Sequence, residues 1–142
     1  MSFLPNPNNF LRWLEPLPRS SDEESVRVLV VEDQQLIALE IASMLEELGH
    51  DVIGPFGSLE DADRAVTRGG FDLAVLDINL EGAFIFPLVE TLRQRGVPYV
   101  LSSGYDDMSR FPEHLRDAPR IEKPYGVDTL AAAMNRAEAS VA

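Results

Sequence analysis

The sequence contains no cysteine. That excludes disulfide staples, thiolate metal sites and a cysteine nucleophile. Positive charge is scarce as well: Lys and Arg number 12 against 24 Asp and Glu, a formal charge of −12. A chain this acidic is not drawn by charge to a nucleic-acid backbone, nor to an anionic membrane. A protein or a cation is the partner to expect. No apolar run approaches the roughly 18 residues of a membrane span. The opening MSFLPNPNNF has neither a basic start nor an unbroken apolar stretch. It therefore does not read as a secretory signal, and a cytoplasmic setting is expected.

What is present fits one soluble domain: 142 residues, 45% of them hydrophobic and 25% charged. Residues 1–25 stand apart as an arm. Pro5, Pro7, Pro16 and Pro18 interrupt it, which prevents a long helix or a central strand. Yet Phe3, Leu4, Phe10, Leu11, Trp13, Leu14 and Leu17 are too apolar for an ordinary tail. Either a short helix near 8–14 docks on the domain or the arm is a partner-binding peptide.

From Val26 onward, apolar strands alternate with helical patterns. VRVLVV (26–31) is a buried-strand run, and Ile37, Ile41, Met44, Leu45 and Leu48 then recur at helical spacing before Gly49. DVIGP (51–55) is a weaker strand. Ser58 to Asp61 has capping-box spacing and opens a helix that stops at Gly69-Gly70. DLAVL (72–76) is a third strand, Ile85, Val89 and Leu92 mark a helix ended by Gly96, and PYVLS (98–102) is a fourth strand. The stretch 106–117 has Met108, Phe111 and Leu115 at helical spacing but Pro112 inside it, so a short or irregular segment is expected. Residues 119–122 form a weak fifth strand, and Val127, Leu130, Ala131 and Met134 mark a last helix. Strands alternating with helices imply an α/β fold, a doubly wound parallel sheet of five strands covered on both faces. In such sheets ligands bind beyond the carboxyl ends of the strands.

Those ends carry the chemistry. Strand one ends in Glu32-Asp33, strand three in Asp77 followed by Asn79, strand four in Ser102-Ser103-Gly104, and strand five in Lys123-Pro124. Three acids, a hydroxyl and a lysine thus converge on one edge. Clustered carboxylates repel each other unless a cation neutralises them. Carboxylate oxygens with room for water suit hydrated Mg²⁺. A phosphoryl group calls for the same ion, a lysine and a small donor to balance its oxygens. A central carboxylate is then a candidate nucleophile that forms an acyl phosphate.

Taken together, Glu32-Asp33, Asp77, Ser103 and Lys123-Pro124 resemble the receiver domain of bacterial two-component response regulators, over about residues 26–140. The resemblance implies a flavodoxin-like receiver fold over 26–142 with an N-terminal extension. Leu101-Ser102-Ser103-Gly104-Tyr105 is similar to the Phe-Ala-Thr-Gly-Tyr of a mainly alphaproteobacterial subgroup. Asp77-Ile78-Asn79-Leu80-Glu81-Gly82, Pro87 and Arg95-Gly96-Val97-Pro98 match that subgroup too.

By this resemblance Asp77 is the phosphoacceptor. Asp33 binds Mg²⁺ directly, Glu32 helps through water or a second contact, and the backbone carbonyl of Asn79 is a further ligand. Ser103 donates its hydroxyl to the phosphoryl group and reports its presence by moving. Lys123 pairs with the acceptor or its phosphate, and Lys123-Pro124 is a cis peptide in this family. The implied donor is a sensor histidine kinase or a histidine phosphotransfer protein. Few residues follow Lys123, so the expected output is contact with a downstream protein or onward phosphotransfer, not DNA binding. The arm either covers or extends the output surface or joins a homodimer partner.

Three positions depart from the common receiver pattern. Glu81 stands where proline is usual, Gly104 where alanine is usual, and Arg120 where a Tyr or Phe switch is usual. Tyr105 and Tyr125 are the candidates for the missing aromatic switch. Two other readings compete. A phosphorylation-independent adaptor has the same fold and takes up no phosphoryl group. A phosphatase of the haloacid-dehalogenase type resembles Asp-x-Asp, and Asn79 cannot act as its second acid.

Overall fold

The computed structural model describes residues 25–141, without the side chains of Tyr105, Asp106 and Met108. The arm expected over 1–25, with its short helix and Trp13, lies outside the described residues but for Ser25. In chain order the elements are β1 (Arg27–Val31), α1 (Gln35–Glu47), β2 (Asp51–Phe56), α2 (Leu59–Arg68) and β3 (Leu73–Asp77). Then come β4 (Asn79–Leu80), β5 (Ala83–Phe84), α3 (Phe86–Arg95), β6 (Tyr99–Ser103), β7 (Arg120–Glu122) and α4 (Val127–Val141). Five strands make one parallel sheet in the order β2-β1-β3-β6-β7. This is the doubly wound, flavodoxin-like receiver fold. The strand order reverses between β1 and β3, so their carboxyl ends flank the switch point where such sheets bind ligands.

The central strands are apolar because both of their faces are covered. Val28–Val31 and all of β3 are buried. Strand alternation divides their side chains between two cores. Leu29, Val31, Ala74, Leu76 and Leu101 pack with α2 and α3, through Ala62, Val66, Val89 and Leu92. Val28, Val30, Leu73, Val75 and Val100 pack with α1 and α4, through Ile41, Leu45, Leu130 and Met134. Full burial of each Val or Leu contributes about 1.5–3 kcal/mol.

Local chemistry sets where the helices start and stop. The Ser58 hydroxyl accepts from the Asp61 amide at 3.1 Å, and Glu60 and Asp61 sit in the first turn of α2. Those acids complement the helix dipole there. Pro87 lies in the first turn of α3, where its missing N–H costs nothing, and Gly96 ends that helix in the left-handed region.

One repeat differs from the rest. Two 3₁₀ turns, Tyr105–Arg110 and Glu113–Leu115, follow β6 in place of an α-helix. Pro112 separates them, and buried Phe111 and Leu115 pin them to the core. This is the irregular segment expected over 106–117. Among the described residues no helix is long and apolar enough to cross a membrane.

Candidate functional site

The turn after β1 and the end of β3 bring Glu32, Asp33 and Asp77 together. One carboxylate oxygen from each lies within 4.8 Å of the others. Glu32 and Asp77 are only 2% and 4% exposed. The ammonium of Lys123 reaches into the cluster, 2.9 Å from Glu32 Oε1 and 3.2 Å from Asp77 Oδ2. The cis Lys123–Pro124 peptide follows it.

Backbone donors hold the other oxygens. Glu32 Oε2 accepts from the Gln34 amide at 3.1 Å, and Asp77 Oδ1 from the Asn79 amide at 3.2 Å. Asp33 Oδ2 accepts from the Glu81 amide at 3.0 Å. Asn79 thus begins the loop after Asp77, and its own side-chain oxygen accepts from Gly82 at 2.7 Å.

The hairpin β4–β5 was not read from the sequence. It accounts for one of the departures. Glu81 and Gly82 are its two loop residues, with φ of 51° and 93°. A two-residue hairpin of this twist needs positive φ at both positions. Proline, locked near φ of about −65°, cannot stand at Glu81 in such a turn.

The cluster is short of positive charge. One lysine serves two buried carboxylates, and Asp33 adds a third. Burial, reinforced by repulsion from Glu32 and opposed by Lys123, pushes the Asp77 carboxyl up to about 7. Burial works against the Lys123 charge, but Glu32 and Asp77 more than offset it and raise its pKa. Three carboxylates with hard oxygen donors and one cation too few match the needs of a hydrated divalent ion. Receiver domains generally hold Mg²⁺ through acids of this kind.

The hydroxyls divide between the two faces of the sheet. Ser102 is the residue in register with Asp77, and alternation turns Ser103 to the opposite face. Ser103 is buried, and its carbonyl accepts from the Lys123 amide at 2.9 Å. No hydrogen bond joins Ser103 to Asp77 among the described residues. Tyr125 packs into the core of α1 and α4, and burial pushes its phenol upward. Tyr105 opens the first 3₁₀ turn, and its side chain lies outside the description.

Two further features were missed. Leu36 and Leu39 in the first turns of α1, the helix that follows Asp33, are 78% and 62% exposed. Phe84, Phe86 and Phe111 form a ring cluster on the hairpin that follows Asp77, with Arg110 and Arg120 over its outer rings. The alternation in Phe84-Ile85-Phe86 was the available signal. It puts two rings on one side of the chain.

The family model of the response regulator receiver domain matches residues 28–135. The transcriptional regulatory protein PdtaR of Mycobacterium tuberculosis is 28% identical over 117 residues, 78% of this chain and 56% of that protein. The phyllosphere-induced regulator PhyR of Methylorubrum extorquens is 25% identical over 116 residues, 80% of this chain and 43% of that protein. The chain therefore spans about half the length of these curated relatives. Among solved structures, SdrG of Sphingomonas melonis Fr1 is similar at a TM-score of 0.71 and 33% identity, over 82% of this chain and 96% of that one. The BeF3-activated conformation of SdrG, from Pseudomonas melonis Fr1, matches at a TM-score of 0.67 and 34% identity, over 79% of this chain and 95% of that one.

Proposed function

The chain belongs to the response regulator receiver family of two-component signalling, and on that premise we propose that Asp77 accepts a phosphoryl group in a Mg²⁺-dependent reaction. The observation that carries this reading is the cation deficit: Asp33, Glu32 and Asp77 share one small space with a single lysine. Asp33, Asp77 and the Asn79 carbonyl would hold Mg²⁺, with Glu32 assisting, and the bound ion would supply the missing positive charge beside the phosphoryl oxygens.

Asp77 attacks the phosphorus of a phosphohistidine on a sensor kinase or phosphotransfer protein. The P–N bond breaks, a P–O bond forms, and the acyl phosphate results. Lys123 and the Ser103 hydroxyl then bind the transferred group. For Ser103 this requires its hydroxyl to turn toward the acceptor. Water later removes the phosphoryl group with the same residues assisting.

Exposed Leu36 and Leu39 offer the donor an apolar ledge beside the acids. Output passes by contact with a downstream protein or by onward transfer, in the cytoplasm. Residues 26–142 form the receiver unit, the arm 1–25 is separate from it, and Tyr105 shifts with Ser103. BeF3 stands in for a phosphoryl group, and a BeF3-activated form of the similar SdrG supports the reading. One observation favours the adaptor instead: Arg120 occupies the position of the usual aromatic switch.

Intact mass decides between them. Incubation with a small phosphodonor, or with a phosphorylated kinase, is expected to add one phosphoryl group with Mg²⁺ and none in Asp77→Asn. No addition from either donor would favour the adaptor.

A further inference from the structure

The site has a second flank that its charges do not build. Asn79, two residues past Asp77, pairs across the hairpin with Phe84. Whatever holds Phe84 therefore holds the start of the acceptor loop. The Phe84 ring stacks on Phe86 with centroids 5.8 Å apart and planes within 5°. Phe86 meets Phe111 edge-on at 5.5 Å and 62°. The Arg110 guanidinium lies over Phe84 at 5.5 Å, and that of Arg120 over Phe111 at 5.8 Å. Arg120 also donates to the carbonyl of Arg116.

These contacts join four parts of the chain: the acceptor hairpin, the first turn of α3, the irregular segment after β6, and β7. They also close a circuit. Arg120 stands three residues before Lys123, and Lys123 is 3.2 Å from Asp77. The path from Asp77 runs through the hairpin and the rings to Arg120, then along β7 back to Asp77. Phe111 is buried, whereas Phe84 and Phe86 are half-buried and Arg110 is exposed. Each ring or cation contact is weak by itself, so the path can be remade when the loop moves.

We propose that Arg110, Phe84, Phe86, Phe111 and Arg120 are positioning residues that tie the acceptor loop to β7. Arg120 performs there the coupling that an aromatic side chain would perform. The tie itself stands on contacts of the resting protein. Its use as a signal path rests on the proposed role of Asp77. Spatial continuity alone is not coupling, so the test must perturb one end and read the other.

The experiment follows backbone amide shifts in the full chain. Arg120→Met keeps the stem and removes the cation. It is expected to shift the amides of Asn79 to Phe84, and Arg120→Lys is expected to restore much of their position. In the Phe86→Leu background, which keeps apolar volume and removes the middle ring, Arg120→Met is expected to leave those amides unmoved. A perturbation confined to residues 116–122, or one that persists without the ring, would overturn the tie.

A second arm adds beryllofluoride with Mg²⁺. The native chain is expected to respond both around Asp77 and at residues 120–122, and Phe86→Leu around Asp77 only. A response at 120–122 that survives Phe86→Leu would overturn the signal path. No response around Asp77 in the native chain would overturn the acceptor role, and the first arm would still decide the tie.

Discussion

On one side of Asp77, Glu32, Asp33 and Lys123 meet through charge; on the other, Phe84, Phe86 and Phe111 meet through their rings. The acid side holds two buried carboxylates against one ammonium, at 2.9 and 3.2 Å. Its energies are large and opposed, because burial penalises every charge that the ion pairs favour. The ring side is made of small contacts that all favour the same arrangement. The proposed uptake of an ion and a phosphoryl group would gain from the first design, since the deficit is what such ligands would relieve. The proposed tie between the loop after Asp77 and β7 would gain from the second.

The largest effect should come from the single cation. Lys123→Met leaves the buried Glu32 and Asp77 without a cation, and about 3–5 kcal/mol of stability is expected to be lost near neutral pH. Urea unfolding measures it, and added Mg²⁺ should restore part of the loss. A cost within the range of an ordinary surface substitution would erase the contrast between the two sides.

A smaller effect tests the strain on the acid side from the opposite direction. The Asp77 carboxyl is held at about 7 in the fold against 3.8 as its ordinary value. Between those pH values the folded chain keeps a proton that the unfolded chain has released. Rising pH therefore erodes stability across that window, and the penalty is complete above about pH 7. Asp77→Asn removes the slope. Without Mg²⁺ it should match the native chain near pH 4 and exceed it by about 1–3 kcal/mol near pH 8. Unfolding curves at several pH values report it, and a difference that does not change with pH would contradict it.

The two sides also differed in how far the sequence disclosed them. The pair Glu32-Asp33 and the acid Asp77 each follow a run of buried apolar residues, so the rule that ligands gather beyond strand ends placed Glu32, Asp33 and Asp77 together. Lys123-Pro124 follows only a weak strand in which Ile121 alone is buried, and its place after that strand in the strand–helix alternation made it legible. The ring side had no such marker. β4 and β5 are two residues each, too short for an alternating pattern. Phe84 and Phe86 sit in one apolar patch of sequence, and their partners Arg110, Phe111 and Arg120 come from segments that local periodicity cannot join. The absence of an aromatic at Arg120 was plain, but not the ring beneath its guanidinium. Glu81 read as an oddity until the hairpin turn showed why proline cannot stand there. Leu36 and Leu39 fell outside the buried stripe of α1, and only the packed structure shows how exposed they are.

The most direct test of the cation deficit needs no phosphodonor. Thermal unfolding of the native chain and of Asp33→Asn is followed as Mg²⁺ is raised, against a potassium control at equal ionic strength. The native midpoint should climb with the logarithm of Mg²⁺ concentration once binding begins, as for any ligand of the folded state, and Asp33→Asn should climb far less. A native midpoint that ignores Mg²⁺, or two chains that rise together, would contradict the claim that these carboxylates await a divalent ion.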